Sequence, residues 1–105
     1  MQLVILDKTT KTFLGCIGLQ NIKAKRPLLG LWIKESVWGR GYGREATLAV
    51  VCWAKKNLDY NEILYVVSEK NIASVKIAER IGVKMFKKNG SKNKKEKKLI
   101  YFIKK

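Results

Sequence analysis

Histidine is absent from the 105 residues. That removes the side chain that titrates nearest neutral pH, and with it the usual general base, the serine–histidine pairing and most zinc sites. Acids are scarce: 8 Asp and Glu stand against 23 Lys and Arg, a formal net charge of +15. Such a balance favours anionic partners: a nucleotide, a nucleic acid or an acidic protein surface. The chain has 2 cysteines, Cys16 and Cys52. Both fall in apolar stretches without metal-ligand spacing, so they read as reduced core residues of a cytoplasmic protein. No uninterrupted apolar run approaches the roughly 20 residues of a membrane-spanning helix. The opening MQLVILDKTTK lacks the basic start and long apolar middle of a signal peptide. No repeat and no domain boundary is visible, so the chain reads as one small domain with a single core.

The stretch from Trp38 to Ala46, WGRGYGREA, stands out. Gly39, Gly41 and Gly43 fall at alternate positions, after the apolar run Leu28 to Ile33 and before the apolar-periodic run Ala46 to Leu58. This predicts a strand, a glycine turn and a helix. The first turn of a helix carries N–H groups without internal partners and partial positive charge. Glycines let the chain wrap close around a bound group, and Arg40 and Arg44 add full charge. The pattern is an anion cradle, with phosphate the expected occupant. Its spacing is G-x-G-x-G, which is neither the Rossmann fingerprint nor a P-loop. The plainer alternative is a turn that only links a strand to a helix.

In chain order, Leu3 to Leu6 and Phe13 to Leu19 predict a hairpin across the polar turn Asp7 to Thr12. A basic loop, Asn21 to Pro27, leads into a third strand, Leu28 to Lys34, whose near-continuous hydrophobicity predicts burial on both faces. A helix from about Gly43 to Leu58 follows, with a wide apolar face that includes Leu48, Val50, Val51, Cys52 and Trp53. ILYVV, Ile63 to Val67, predicts a central strand. Asn71 is placed to cap a second helix with Ile72, Val75, Ala78 and Ile81 on one face, and Gly82 to end it. Val83 to Phe86 and Leu99 to Ile103 predict the last two strands. Between them, Lys87 to Lys98 holds seven lysines and one glutamate and reads as a solvated loop. It has no interleaved aromatics for base stacking, which weighs against nucleic acid. The fold class is α/β (α+β): a mixed, mainly antiparallel sheet with two helices, in the order β-β-β-α-β-α-β-β.

The strand, ESVWGRGYGREA, the helix, the β-branched strand and NIASVKIAERIGV together resemble the GNAT (general N-acetyltransferase) superfamily, in its RimJ/RimL-like branch. The resemblance covers Leu3 to Ile103. It implies that acetyl-CoA binds with its pyrophosphate on the turn. Gly41 and Gly43 match the two glycines of the Q/R-x-x-G-x-G/A pattern; Gly39, Arg40, Tyr42 and Arg44 supply further amides. Trp38 stands where the general pattern has Gln or Arg. The strand from about Trp32 to Glu35, with Ile33 and Lys34 at its centre, is implied to pair with the pantetheine arm, and Asn71 and Ser74 to face the thioester.

The implied chemistry is direct attack of a primary amine, on a protein N-terminus or a small molecule, with both reactants bound. A backbone N–H of the third strand would stabilise the oxyanion. Without histidine the base would be a carboxylate acting through water, Glu35 or Glu69, and Ser74 is the nearest proton donor. A tyrosine serves as the acid in many superfamily members; Ala78 occupies that position here. The family's usual first strand and two helices, one wall of the acceptor site, have no counterpart in this sequence. With Leu3 to Leu6 an unprotected edge, a homodimer or a partly disordered N-terminus is expected. Two rival readings stay open: a catalytically impaired CoA-binding remnant, and a basic nucleic-acid-binding module whose glycine turn grips backbone phosphate.

Overall fold

A computed structural model describes residues 1–81, 84–89 and 98–105. Among these described residues six strands form one sheet in the order β1-β2-β3-β4-β6-β5: β1 (Gln2–Leu6), β2 (Phe13–Gln20), β3 (Leu28–Ile33), β4 (Glu62–Ser68), β5 (Lys84–Asn89) and β6 (Lys98–Lys104). Helix α1 (Tyr42–Asn57) connects β3 to β4, and α2 (Ile72–Arg80) follows β4. All neighbouring strands are antiparallel except β3 and β4. The expected mixed sheet and element order are present. β4 is central, between β3 and β6, and β1 is an edge.

One face of the sheet carries both helices. Ile17, Leu19, Leu29, Leu31, Ile33, Ile63, Tyr65 and Val67 point to it and pack with Val50, Val51 and Ala54 of α1 and Ala78 of α2. Leu29, Ile63 and Tyr65 are almost wholly excluded from solvent. Burying one such side chain stabilises by about 1.5–3 kcal/mol before chain entropy is charged against it.

The other face differs from expectation. β3 alternates: Leu29, Leu31 and Ile33 are buried, whereas Gly30 and Trp32 are exposed. Its hydrophobic run suggested burial on both sides, but among the described residues both helices lie on one side. Trp32 remains 48% exposed and stacks on Phe13, with ring centroids 6.1 Å apart.

The helix faces are also rotated from the predicted ones. In α1 the buried positions are Gly43, Thr47, Val50, Val51 and Ala54, while Leu48, Cys52 and Trp53 face solvent. Cys52 is therefore not a core residue, and Cys16 is half-buried; neither is in a disulfide. In α2, Ser74 and Ala78 are buried and Ile72 is exposed. β5 runs through Asn89, three residues past the predicted Phe86, because Lys87, Lys88 and Asn89 pair with Ile100, Leu99 and Lys98. The solvated-loop reading thus loses both ends to strands; residues 90–97, and Gly82 as the helix stop, lie outside the described residues.

Candidate functional site

After β3 the chain makes a short 3₁₀ turn, Glu35–Val37, and then the glycine turn. Gly39 and Gly41 have φ of 82° and 87°, in the left-handed region that side chains disfavour. A Cβ added at either position would meet nothing within 4 Å, so the backbone there is open to an approaching group. Gly41 is the N-cap of α1 and has no side-chain oxygen to satisfy the first amides. The first intrahelical bond runs from Glu45 N–H to the Gly41 carbonyl, at 3.0 Å. Among the described residues, no hydrogen bond is donated by the backbone N–H groups of residues 39 to 44. Helix α2 is finished differently: the Asn71 side chain accepts from Ser74 N–H at 3.3 Å. One helix start is closed by its own cap, and the other is left open.

The open end borders a cavity of about 440 Å³. Its walls are Ile33, Val37 and Trp38, the backbone from Gly39 to Arg44, and the α2 residues Ala73, Lys76, Ile77 and Arg80. Arg40, Arg44, Lys76 and Arg80 thus line one concavity, and none is in an ion pair among the described residues. Gly43 is the exception among the three glycines of the turn. It is buried, and a Cβ on it would sit 2.7 Å from Ile77 Cδ1 and 3.1 Å from Ile33 Cγ1. Its role is to bring α1 hard against α2 and β3.

Beside this cavity the sheet parts. β3 and β4 pair only at Leu28 with Leu64 and Leu29 with Tyr65, so Gly30–Ile33 and Val66–Ser68 have no ladder partners in each other. Lys34 N–H donates to the Leu14 carbonyl at 2.8 Å. Antiparallel pairing alternates, so Trp32 and Gly30 also turn their polar edges to β2, and those of Leu31 and Ile33 face the gap. The Ile33 carbonyl there accepts from the Trp38 indole N–H at 2.8 Å.

Eight of the predicted residues are brought together on this cavity: Ile33, Trp38, Gly39, Arg40, Gly41, Tyr42, Gly43 and Arg44. Lys34 is outside the cavity, its N–H bonded to Leu14 and its carbonyl to Val37 N–H. The Tyr42 hydroxyl reaches Asp7 at 3.5 Å, tying the turn to the β1–β2 connection. Amides of Thr10 and Thr9 hold the Asp7 carboxyl below its usual pKa. Asn71 and Ser74 do not line the cavity; the Ser74 hydroxyl is buried without a partner among the described residues. Glu35 and Glu69 are exposed. The Tyr65 hydroxyl donates to the Ser74 carbonyl at 3.3 Å, and burial pushes its pKa up to about 12.

The acetyltransferase (GNAT) domain family matches residues 1–84. The chain belongs to the GNAT acetyltransferases. YkkB of Bacillus subtilis is 30% identical over 80 residues, covering 73% of this chain and 46% of that protein. The Methanocaldococcus jannaschii protein MJ1062 is 29% identical over 87 residues, covering 82% of the chain and 18% of that protein. The chain therefore spans less than half the length of either relative. Among solved structures, an acetyltransferase from Agrobacterium tumefaciens superposes with a TM-score of 0.76 at 28% identity, over 99% of this chain and 60% of its own. A domain from M. jannaschii gives 0.78 at 26% identity, over 97% and 63%.

Within this GNAT fold, two cations of the cavity were not singled out from sequence. Lys76 and Arg80 are one turn apart on α2, in line with Ala73 and Ile77. The signal was present as two cations spaced by four. In a chain with 23 basic residues it did not stand out.

Proposed function

We propose that this chain binds acetyl-CoA on the glycine turn and transfers the acetyl group to a primary amine, on a protein N-terminus or a small molecule. The observation that carries the reading is the set of unpaired amides from Gly39 to Arg44, opening onto a cavity beside the gap between β3 and β4. The residues fit the group: the backbone at Gly39 and Gly41 has open space, and Arg40 and Arg44 supply charge for a diphosphate. Acetyl-CoA supplies an activated acyl group, so the protein's part is to hold and orient. The gap-facing amides of Leu31 and Ile33 suit an extended arm. One of them suits the oxyanion as well.

Glu35, through water, is the proposed base for the incoming amine, and Ser74 the proposed donor to the departing thiolate. The acceptor is expected to approach across the uncovered face that carries Trp32 and Phe13. A second copy pairing along the edge strand β1 is proposed to narrow that approach. The test of binding is calorimetric titration with CoA, in which saturable heat is expected for the wild type and loss of it for Gly41→Val. Absence of binding by the wild type overturns the proposal. Acetyl transfer to a panel of amines and N-terminal peptides then separates a transferase from a CoA-binding form without turnover.

A further inference from the structure

On the uncovered face of the sheet, Gly18 of β2 and Gly30 of β3 are direct cross-strand partners. Neither has a side chain, so the middle of the two strands is bare on that face. A Cβ on Gly30 would meet nothing within 4 Å. Side chains rise on either side of the glycine pair: Cys16 beside Trp32, and Gln20 beside Leu28. The result is a recess of about 370 Å³, within the size range of small-molecule sites. Gln2 closes it toward β1, and Val66 of β4 lines it from across the gap. Gly30, Trp32 and Val66 also flank the β3–β4 gap. The recess and the cavity at the glycine turn therefore lie on opposite faces of one opening.

Among the described residues, neither an acid nor a base lines the recess, although the chain has a net charge of +15. Asp7 is engaged elsewhere by the Thr9 and Thr10 amides and the Tyr42 hydroxyl. Glu62 pairs with Arg26 at 3.1 Å. Glu35 and Glu69 are exposed and do not line the recess. A charged group placed there would lose water and gain no counter-ion, which is costly. An apolar group would leave water for Trp32, Leu28 and Val66, which is favourable. Gln2 and Gln20 offer neutral amides, which neutralise neither sign of charge.

We propose that this recess holds the body of the acceptor, and that the acceptor is a primary amine on an uncharged, apolar body. Amines that carry a second charge are rejected. The inference rests on the acetyl-CoA reading of the turn, which puts the thioester in the gap. The amine nitrogen reaches into the gap while its body lies over Gly30 and against Trp32. There the nitrogen–carbon bond of the amide forms as the thioester carbon–sulfur bond breaks. The nitrogen loses one proton and the departing thiolate gains one. Trp32 and the bare Gly30 are the specificity-determining positions.

The experiment uses hexylamine, hexamethylenediamine and ε-aminocaproate, which share one chain length and differ in a distal methyl, ammonium or carboxylate. With acetyl-CoA, kcat/KM for hexylamine is expected to exceed that for either charged analogue by about tenfold or more, the size of one unpaired charge taken from water. A leucine-first tetrapeptide run beside hexylamine shows whether the apolar body belongs to a peptide end or a free amine. A second readout needs no turnover: Cys16 lines the recess, whereas Cys52 is exposed on α1. Saturating hexylamine, without CoA, is expected to suppress iodoacetamide alkylation of Cys16 and leave Cys52 unchanged; hexamethylenediamine is expected to protect neither. Gly30→Val fills the recess with a residue that strands favour. It is expected to lose the protection and the preference, while CoA affinity by calorimetry stays within about threefold of wild type. Equal kcat/KM for hexylamine and hexamethylenediamine overturns the proposal. So does a preference without protection of Cys16, which would place the apolar body elsewhere. If CoA binds without turnover, protection of Cys16 decides alone. If CoA does not bind, the cradle reading fails, and selective protection of Cys16 still supports the recess as an apolar-amine site.

Discussion

The indole N–H of Trp38 donates to the carbonyl of Ile33 at 2.8 Å, five residues back along the chain. The bond ties the glycine turn to the last residue of β3, at the mouth of the gap between β3 and β4. It also occupies a carbonyl that would otherwise face the cleft unpaired. Trp38→Phe keeps an aromatic ring, smaller than the indole, and removes the donor. Urea unfolding is expected to show a loss of about 1 kcal/mol, and CoA affinity is expected to fall because the turn is less firmly held. Unchanged stability and affinity would show that the bond fixes nothing.

Gly41 and Gly43 serve different ends, so their alanine variants separate. Gly41→Ala strains a residue at φ 87° but meets no neighbour; a cost of about 1–2 kcal/mol is expected. Gly43→Ala pushes against Ile77 Cδ1 and the β3 side chains, with an expected cost of about 1–3 kcal/mol. Adding Ile77→Val deletes the closest atom and is expected to recover part of the second loss, and none of the first. A thermal-melt double-mutant cycle measures both.

Ser74 Oγ and Thr47 Oγ1 are buried without partners among the described residues. Deleting an unsatisfied buried hydroxyl relieves a desolvation cost, so Ser74→Ala and Thr47→Val are each expected to be neutral or to stabilise by up to about 1 kcal/mol. If Ser74 protonates the departing thiolate, Ser74→Ala is stable yet slow, with kcat reduced and CoA affinity retained. Full turnover in a stable Ser74→Ala would end that assignment.

Tyr65 gives a pH dependence. Burial raises its pKa from 10.0 to about 12, so the folded state keeps a proton that the unfolded state has released. Stability linked to this group is complete below pH 10 and falls as pH rises from about 10 to about 12, by on the order of 2–3 kcal/mol. Tyr60 and Tyr101 are shifted the same way by burial and add to the fall. Tyr65→Phe is expected to flatten part of the alkaline decline in a chemical-denaturation series. A decline of equal slope in wild type and variant would assign it elsewhere.

Much of the fold is legible locally. Short apolar and β-branched runs mark β2 and β4, and the run of amides before α1 is announced by Gly39 and Gly41, since few other residues accept that backbone. Asn71 is readable as a cap for a similar reason: its side chain finishes the helix within three residues. These features depend on contacts between near neighbours in the chain, which spacing encodes.

What spacing did not encode was which apolar residues would be covered. Leu48, Trp53, Ile72 and Trp32 are as hydrophobic as Val50, Ala78 or Leu31, and their exposure follows from where two helices come to rest on one side of a sheet. The cavity has the same origin. Lys76 is more than thirty residues from Arg40, and only the packing of α2 against the start of α1, through Gly43 and Ile77, sets both on one hollow. The sequence alone determined an open, amide-rich helix start; the tertiary structure decided which charges surround it, because distant cations converge only when the chain folds.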